Sequence, residues 1–222
     1  MNLIMNKLAL LLGDYTDAPY HPLNEVEQEI AAILQNQLTV HSTEDYDQLR
    51  AEHISKFDLC ITYTDFWKRS GTVSSEQVAG LLSYVSSGGG LLVIHTGISL
   101  QIRYELLQLM GAKFTGHPAY QKLDYRVTCP DHPIMEGIEP FSAEDEPYQF
   151  EFDPFTEKKV LLEYELDGQK WPAAWAHAYG LGRVVYLMPG HRVTVFQESM
   201  FRKLIVNSSL WAMGDLPEDR SG

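Results

Sequence analysis

The chain has 222 residues, 45% of them hydrophobic and 21% charged, values ordinary for a globular protein with a core of its own. Its formal net charge of −13 repels a phosphate backbone, and no basic stripe offsets it, so nucleic acid is excluded as an expected partner. No apolar run approaches the roughly 18 residues of a membrane span. Lys7 interrupts the N-terminal apolar stretch, so no signal peptide is expected, and the two distant cysteines, Cys60 and Cys129, fit a reducing compartment. The expectation is a cytoplasmic protein without a membrane partner.

Residues 8–12 predict a first buried strand, closed by Gly13 and Asp14. The loop at 14–22 (DYTDAPYHP) lacks the glycines of a dinucleotide fingerprint, so no dinucleotide cofactor is expected. Leu23, Val26, Ile30, Ile33 and Leu34 keep helical spacing, with Asn24 as a candidate cap. Residues 38–40 and 57–63 read as strands, and Cys60 within the second reads as a core residue. Residues 65–71 (DFWKRSG) form a loop. Ser74 or Ser75 then caps a helix with the buried stripe Val78, Leu81, Leu82 and Val85, ended by Gly88.

The stretch 88–99 (GGGLLVIHTGIS) organises what surrounds it. Residues 91–94 are a continuous apolar run, the mark of a strand buried on both faces. His95 follows at once, then Thr96 and Gly97, then a helical pattern over 100–110. Strand, tight turn and helix make an elbow that lifts one side chain over the end of a central strand. That edge is where α/β sheets bind ligands. The alternation of strands and helices up to Met110 predicts an α/β protein with a doubly wound, mostly parallel sheet.

Beyond Gly111 the texture changes. Residues 123–129 and 148–152 look extended, and 160–166, the turn Asp167-Gly168 and 171–176 read as a hairpin. Tyr164 and Trp171 would give that hairpin an exposed aromatic face suited to a homodimer. Residues 183–188 make one more buried strand. Phe201, Leu204, Ile205, Ser208 and Trp211 make a closing helix. A single domain over 1–215 with a flexible tail at 216–222 is the economical reading.

Pro189-Gly190-His191 follows its strand as His95 follows its own, so two imidazoles can meet over one crevice. The acidic-aromatic cluster Glu144-Asp145-Glu146-Pro147-Tyr148 and the histidine of Gly116-His117-Pro118 are further candidates for the same edge. His95, His191 and either His117 or Glu146 could share a divalent ion, zinc, manganese or iron rather than calcium. No local ligand spacing such as HExxH fixes two of them on one helix. His132 reads as a structural turn residue, and His41, His53 and His177 read as surface residues.

The motifs GGGLLVIHTG, GAKFTGHP, DHPIMEGI, EDEPYQF, AAWAHAYGLGRVVYLMPGH and LWAMGD, spread over 88–214, resemble the successive motifs of the ThuA-like, or trehalose-utilisation, family. The resemblance implies a fold similar to class I glutamine amidotransferases: a flavodoxin-like sheet with antiparallel additions in the second half. Pro147 and His177 depart from the family pattern. An amidotransferase would present cysteine where His95 stands and a glutamate shortly after His191, so glutamine hydrolysis is not expected here. The resemblance points to carbohydrate (trehalose or other disaccharide) catabolism, with a glycoside or keto-sugar, such as an oxidised disaccharide of the keto-trehalose kind, as substrate. In that reading His95 and His191 transfer protons and Glu146 is an orienting or acid/base carboxylate. Tyr148, Asp145, His117, Tyr20 and His21 then line the pocket and bind hydroxyls. The alternative is a non-catalytic sugar-binding or scaffold domain that has lost amidotransferase chemistry.

Overall fold

The computed structural model describes residues 7–67 and 73–218. The first half alternates as its apolar pattern requires. Strand β1 (Lys7–Gly13) leads into helix α1 (Glu27–Leu34), and β2 (Leu38–Thr43) into the short helix α2 (Ala51–Ile54). Strand β3 (Leu59–Tyr63) precedes α3 (Ser75–Ser86), and β4 (Gly90–Ile94) precedes α4 (Tyr104–Met110). Ser74 caps α3 in a reciprocal capping box with Gln77, and Gly88 follows with φ +115°.

Two helical expectations need correction. Asn24 caps nothing, because a 3-10 turn at Leu23–Glu25 precedes α1 and Val26, not Asn24, is the residue before the helix. The stretch after His95 is a 3-10 segment, His95–Ile102, buried as far as Leu100 and separated from α4 by an extended Arg103. Close packing explains its tight winding: a Cβ on Gly97 would stand 2.2 Å from the Thr62 carbonyl oxygen. Of the loop at 65–71, residues 68–71 lie outside the described residues.

The second half adds β5 (Ala112–Gly116), β6 (Gln121–Val127), β7 (Phe141–Asp145) and β8 (Gln149–Phe152). It continues with β9 (Lys159–Leu166), β10 (Gln169–Tyr179) and β11 (Gly182–Leu187), then α5 (Val193–Phe196) and α6 (Ser199–Ala212). Strands β5 and β7 carry no clear periodicity and escape a reading by pattern. Among the described residues nine strands form one sheet in the order β2-β1-β3-β4-β11-β10-β9-β6-β7, and β5 pairs with β8 separately. From β2 to β11 neighbours are parallel, and from β11 to β7 every pairing is antiparallel. Four successive reversals return β7 to the direction of β11. The ends of β1, β3, β4, β11 and β7 therefore emerge at one edge. Helices α1, α5 and α6 pack together, as do α2, α3 and α4, and both groups reach the central strands.

The hairpin turns at Asp167 and Gly168, both at positive φ, as a two-residue turn requires. Its expected exposed aromatic face is absent. Tyr164 is fully buried and donates to the Tyr148 carbonyl at 2.8 Å, and Trp171 packs partly buried against the core. The aromatic argument for a homodimer falls with it. Within the expected tail, the Leu216 carbonyl accepts from Arg183 at 2.7 Å and the Glu218 carbonyl from Trp211 at 3.4 Å. Residues 219–222 lie outside the described residues.

His177 is not a surface residue but only 4% exposed. The last carbonyls of α4 have no partner within the helix. Strand β10 supplies one: His177 Nε2 donates to Leu109 O at 2.9 Å, and Trp175 Nε1 does the same for Met110 O, also at 2.9 Å. Burial lowers the His177 pKa to about 4. The neutral ring is the folded form, so stability is complete above the unfolded pKa near 6.5. It is lost as pH falls from there to about 4, because the unfolded chain takes the proton first. The expected loss is roughly 3 kcal/mol. Urea unfolding from pH 7 to 4 should show this slope, and His177→Gln, which keeps a donor for Leu109, should flatten it. An unchanged slope in the variant refutes the assignment.

Candidate functional site

Each strand end at the common edge delivers one group. His95 stands directly after β4 at φ +45°, a left-handed conformation that costs a non-glycine residue about 1–2 kcal/mol. Its ring is fully buried and stacks on Tyr148, with centroids 4.3 Å apart at 30°. Nδ1 lies 2.6 Å from the Met188 carbonyl and must donate to it, which leaves Nε2 as a bare lone pair. Burial lowers the His95 pKa and favours that neutral form.

His191 follows β11 after Gly190, whose φ of +145° and absent side chain let the loop pass close to His95. A Cβ on Gly190 would meet the His95 Cβ at 3.0 Å. His21 comes from the loop after β1. Asp65, just after β3, grips that loop by accepting from the backbone N–H groups of Tyr20 at 3.1 Å and His21 at 3.0 Å. Glu146 follows β7.

These four side chains converge. Nδ1 of His191 lies 3.0 Å from His21 Nε2 and 3.1 Å from Glu146 Oε2. The same carboxylate oxygen is 3.5 Å from His95 Nε2 and 3.7 Å from His21 Nε2. One ligand atom from each of the four residues lies within 4.8 Å of all the others. Around a tetrahedral ion with bonds of 2.0–2.1 Å, ligand atoms stand roughly 3.4 Å apart. Four of the separations bracket that value.

The electrostatics call for a cation at the same point. His95 Nε2 and Glu146 Oε2 are buried acceptors 3.5 Å apart, and neither has a hydrogen-bond partner among the described residues. Burial works against charge on Glu146, yet the imidazoles of His191, His21 and His95 hold its carboxyl well below the usual range. Burial likewise opposes a proton on His21, but Asp65 and Glu146 outweigh it and raise that pKa. A divalent ion would satisfy the opposed acceptors at this point. Three neutral imidazoles and a carboxylate suit zinc, manganese or iron, and calcium poorly.

The ligand set expected from the sequence changes in two respects. His21, expected to bind hydroxyls, belongs to the cluster. His117 stands outside it at the rim, with Nε2 3.8 Å from Glu146 Oε1 and Nδ1 held by the Pro118 carbonyl at 2.8 Å. Asp145, expected to bind substrate, is instead fully buried behind the site. It accepts from the backbone N–H groups of Glu146 at 2.9 Å, Gly190 at 2.8 Å and His191 at 3.1 Å, and burial raises its pKa. His132 is buried and accepts from Ile134 N, a turn contact.

Above the cluster opens a cavity of about 520 Å³, within the range of small-molecule sites. Tyr20, His21, His117, Glu146 and Tyr148 line it, together with Trp67 and Phe114, which sequence reasoning missed. Trp67 is anchored by Nε1 donating to Thr96 at 3.0 Å, and its ring lies 4.8 Å from that of Phe114. Tyr148 contributes its buried ring, stacked on His95 and on His117. Trp67 sits in the loop 65–71 that follows the strand predicted at 57–63, which is the one signal that pointed to it. Phe114 had none, because β5 was not legible. Cys60 is buried in β3 with its thiol pKa pushed up to about 12, so it supplies no nucleophile.

Among the described residues, no helix is long and apolar enough to cross a membrane. No curated protein matches the sequence significantly. Among solved structures, a ThuA-like protein from Parabacteroides merdae superposes with a TM-score of 0.79 at 15% identity, covering 98% of this chain and 92% of its own. One from Bacteroides uniformis gives 0.74 at 16% identity, covering 100% and 97%. A β-galactosidase from Bacillus circulans gives 0.62 at 16% identity, matching 94% of this chain to 31% of the larger enzyme. At these identities the likeness shows a shared fold alone. The family model described as trehalose utilisation matches residues 14–212, nearly the whole chain, which therefore belongs to the ThuA family.

Proposed function

We propose that this protein is a metal-assisted enzyme of carbohydrate utilisation, acting on a glycoside or keto-sugar. The observation that carries the reading is the convergence of His21, His95, Glu146 and His191 beneath an aromatic-walled cavity. Family membership supports the substrate class. Trp67, Phe114 and Tyr20 offer flat apolar surfaces of the kind that pack on the faces of sugar rings. A divalent ion bound by the four ligands supplies Lewis-acid polarisation of a substrate oxygen.

His95 and His191 then hold the ion and do not move protons. The proton role passes to His117. Its Nδ1–H is tied to Pro118, so Nε2 turns a lone pair towards Glu146 Oε1 at the cavity. A keto-sugar has acidic protons beside its carbonyl, and an imidazole is a suitable acceptor for one. The order β2-β1-β3-β4 of the parallel strands supports a flavodoxin-like, doubly wound arrangement. Two free cysteines support a cytoplasmic location.

The test is turnover of a panel of glycosides and 3-keto-glycosides, with and without zinc, manganese or iron. Conversion by the wild type that falls at least about a thousandfold in Glu146→Gln supports the reading. Binding of a sugar without conversion under every metal condition would favour the alternative, a non-catalytic sugar-binding domain.

A further inference from the structure

Asp65 is fully buried just after β3. Its Oδ2 accepts from the backbone N–H groups of Tyr20 and His21, while Oδ1 has no hydrogen-bond partner among the described residues. The residue is fixed from behind. Its own N–H donates to Asp14 Oδ2 at 2.7 Å, and both Asp14 oxygens lie 3.0 Å from the Tyr46 hydroxyl. On either side, the Thr64 carbonyl accepts from Thr96 at 2.7 Å and Ser99 at 2.8 Å, and the Phe66 N–H donates to Ser99 Oγ at 3.1 Å. A neutral amide would serve the two loop N–H groups equally well, so holding the loop does not by itself require a charge. A buried carboxylate is costly unless a partner offsets it. The His21 ring supplies one: Nδ1, also without a hydrogen-bond partner among the described residues, stands 3.6 Å from Asp65 Oδ2.

The two nitrogens of His21 face different tasks. Nε2 points into the cluster, 3.0 Å from His191 Nδ1 and 3.7 Å from Glu146 Oε2, so it is the atom an ion would take. A neutral ring that ligates through Nε2 carries its proton on Nδ1. The three imidazoles differ in what backs them. His95 Nδ1 donates to the neutral Met188 carbonyl, with Asp145 Oδ1 4.0 Å away, and His191 presents Nδ1 to the cluster itself. For His21 the acceptor is a carboxylate. The spacing also shows how that contact closes. At 3.0 Å the His21–His191 pair is tighter than the roughly 3.4 Å between ligand atoms around a tetrahedral ion. An ion opens the pair by about 0.4 Å, and a His21 ring that backs away from His191 carries Nδ1 towards Asp65. We propose that Asp65 is a positioning residue of the metal centre: its carboxylate accepts from His21 Nδ1–H and fixes the tautomer whose Nε2 lone pair meets the ion. Its charge then strengthens His21 as a ligand. The role rests on the metal centre proposed for the four-residue cluster.

Zinc calorimetry on the full chain, compared with Asp65→Asn and Asp65→Ala, tests it. Asp65→Asn keeps an acceptor for the Tyr20 and His21 N–H groups, so without metal it should melt close to the wild type. Its zinc affinity should nevertheless fall about tenfold or more. Asp65→Ala also strands both N–H groups and should lose stability as well as affinity. In a His21→Ala background Asp65→Asn should cost less than about twofold, because the ring it acts through is gone. NMR of protein labelled with 15N-histidine reads the tautomer directly. Zinc-loaded wild type should hold the His21 proton on Nδ1, and its resonance should move upfield in Asp65→Asn. Zinc affinity in Asp65→Asn within about tenfold of the wild type overturns the role. So does an equal loss in the His21→Ala background, or a zinc-loaded wild type with His21 protonated on Nε2. Each of these leaves the metal centre standing. A wild type that binds neither zinc, manganese nor iron is instead the failure of the centre itself, and the role of Asp65 falls with it.

Discussion

Protein purified without a polyhistidine tag and exposed to zinc, manganese or iron is expected to hold one divalent ion per chain. His95→Ala and His191→Ala should each lower its affinity by more than about 100-fold, since even loss of an outer-shell partner typically costs 10–100-fold. The reason is the preformed geometry: His21, His95, Glu146 and His191 already present ligand atoms within 4.8 Å of one another. Binding to the folded state alone stabilises by about 2.7 kcal/mol at 100 times Kd. For a domain of this size that is a rise in melting temperature of roughly 5–10 °C. Elemental analysis and calorimetry measure both quantities. His117→Ala serves as the contrast, because His117 stands at the rim and its loss should leave the ion in place. A wild type that stays metal-free, with an unchanged melting temperature in all three metals, rules the centre out.

The second large effect belongs to a residue outside the ligand set. Asp145→Ala is expected to destabilise the protein by roughly 3–6 kcal/mol, because it strands the backbone N–H groups of Glu146, Gly190 and His191, each costing about 1–3 kcal/mol when buried and unpaired. The corresponding fall in melting temperature is roughly 10–20 °C. Asp145 joins the end of β7 to the loop after β11, so it sets the spacing between Glu146 and His191. Asp145→Asn retains one acceptor oxygen and should fall between wild type and alanine in stability. Metal affinity should drop in both variants even where they remain folded, a change that simple destabilisation does not require. Asp145→Ala melting within a degree or two of the wild type would refute this role.

Much of the parallel half of the fold was legible from the chain alone. Buried strands such as Leu91–Ile94 need unbroken apolar runs, and the groups that follow them must fall at the sheet edge. That is why His95 and His191 could be named from their positions, and why the turn at Asp167-Gly168 could be placed. Periodicity reports which side of an element faces inward. It does not report what a distant element will supply to meet it. The fate of Asp145 depends on backbone N–H groups 45 and 46 residues away, and that of His177 on a helix carbonyl 68 residues away. His21 joins the cluster because Asp65, 44 residues on, holds its loop. Glu146 reaches the edge because four strand reversals bring β7 back to the direction of β11. The residue types and the strand-end histidines were thus written in the sequence. Only the tertiary structure decided which of them became ligands and which became supports, because that choice is made by hydrogen bonds and strand directions set far along the chain.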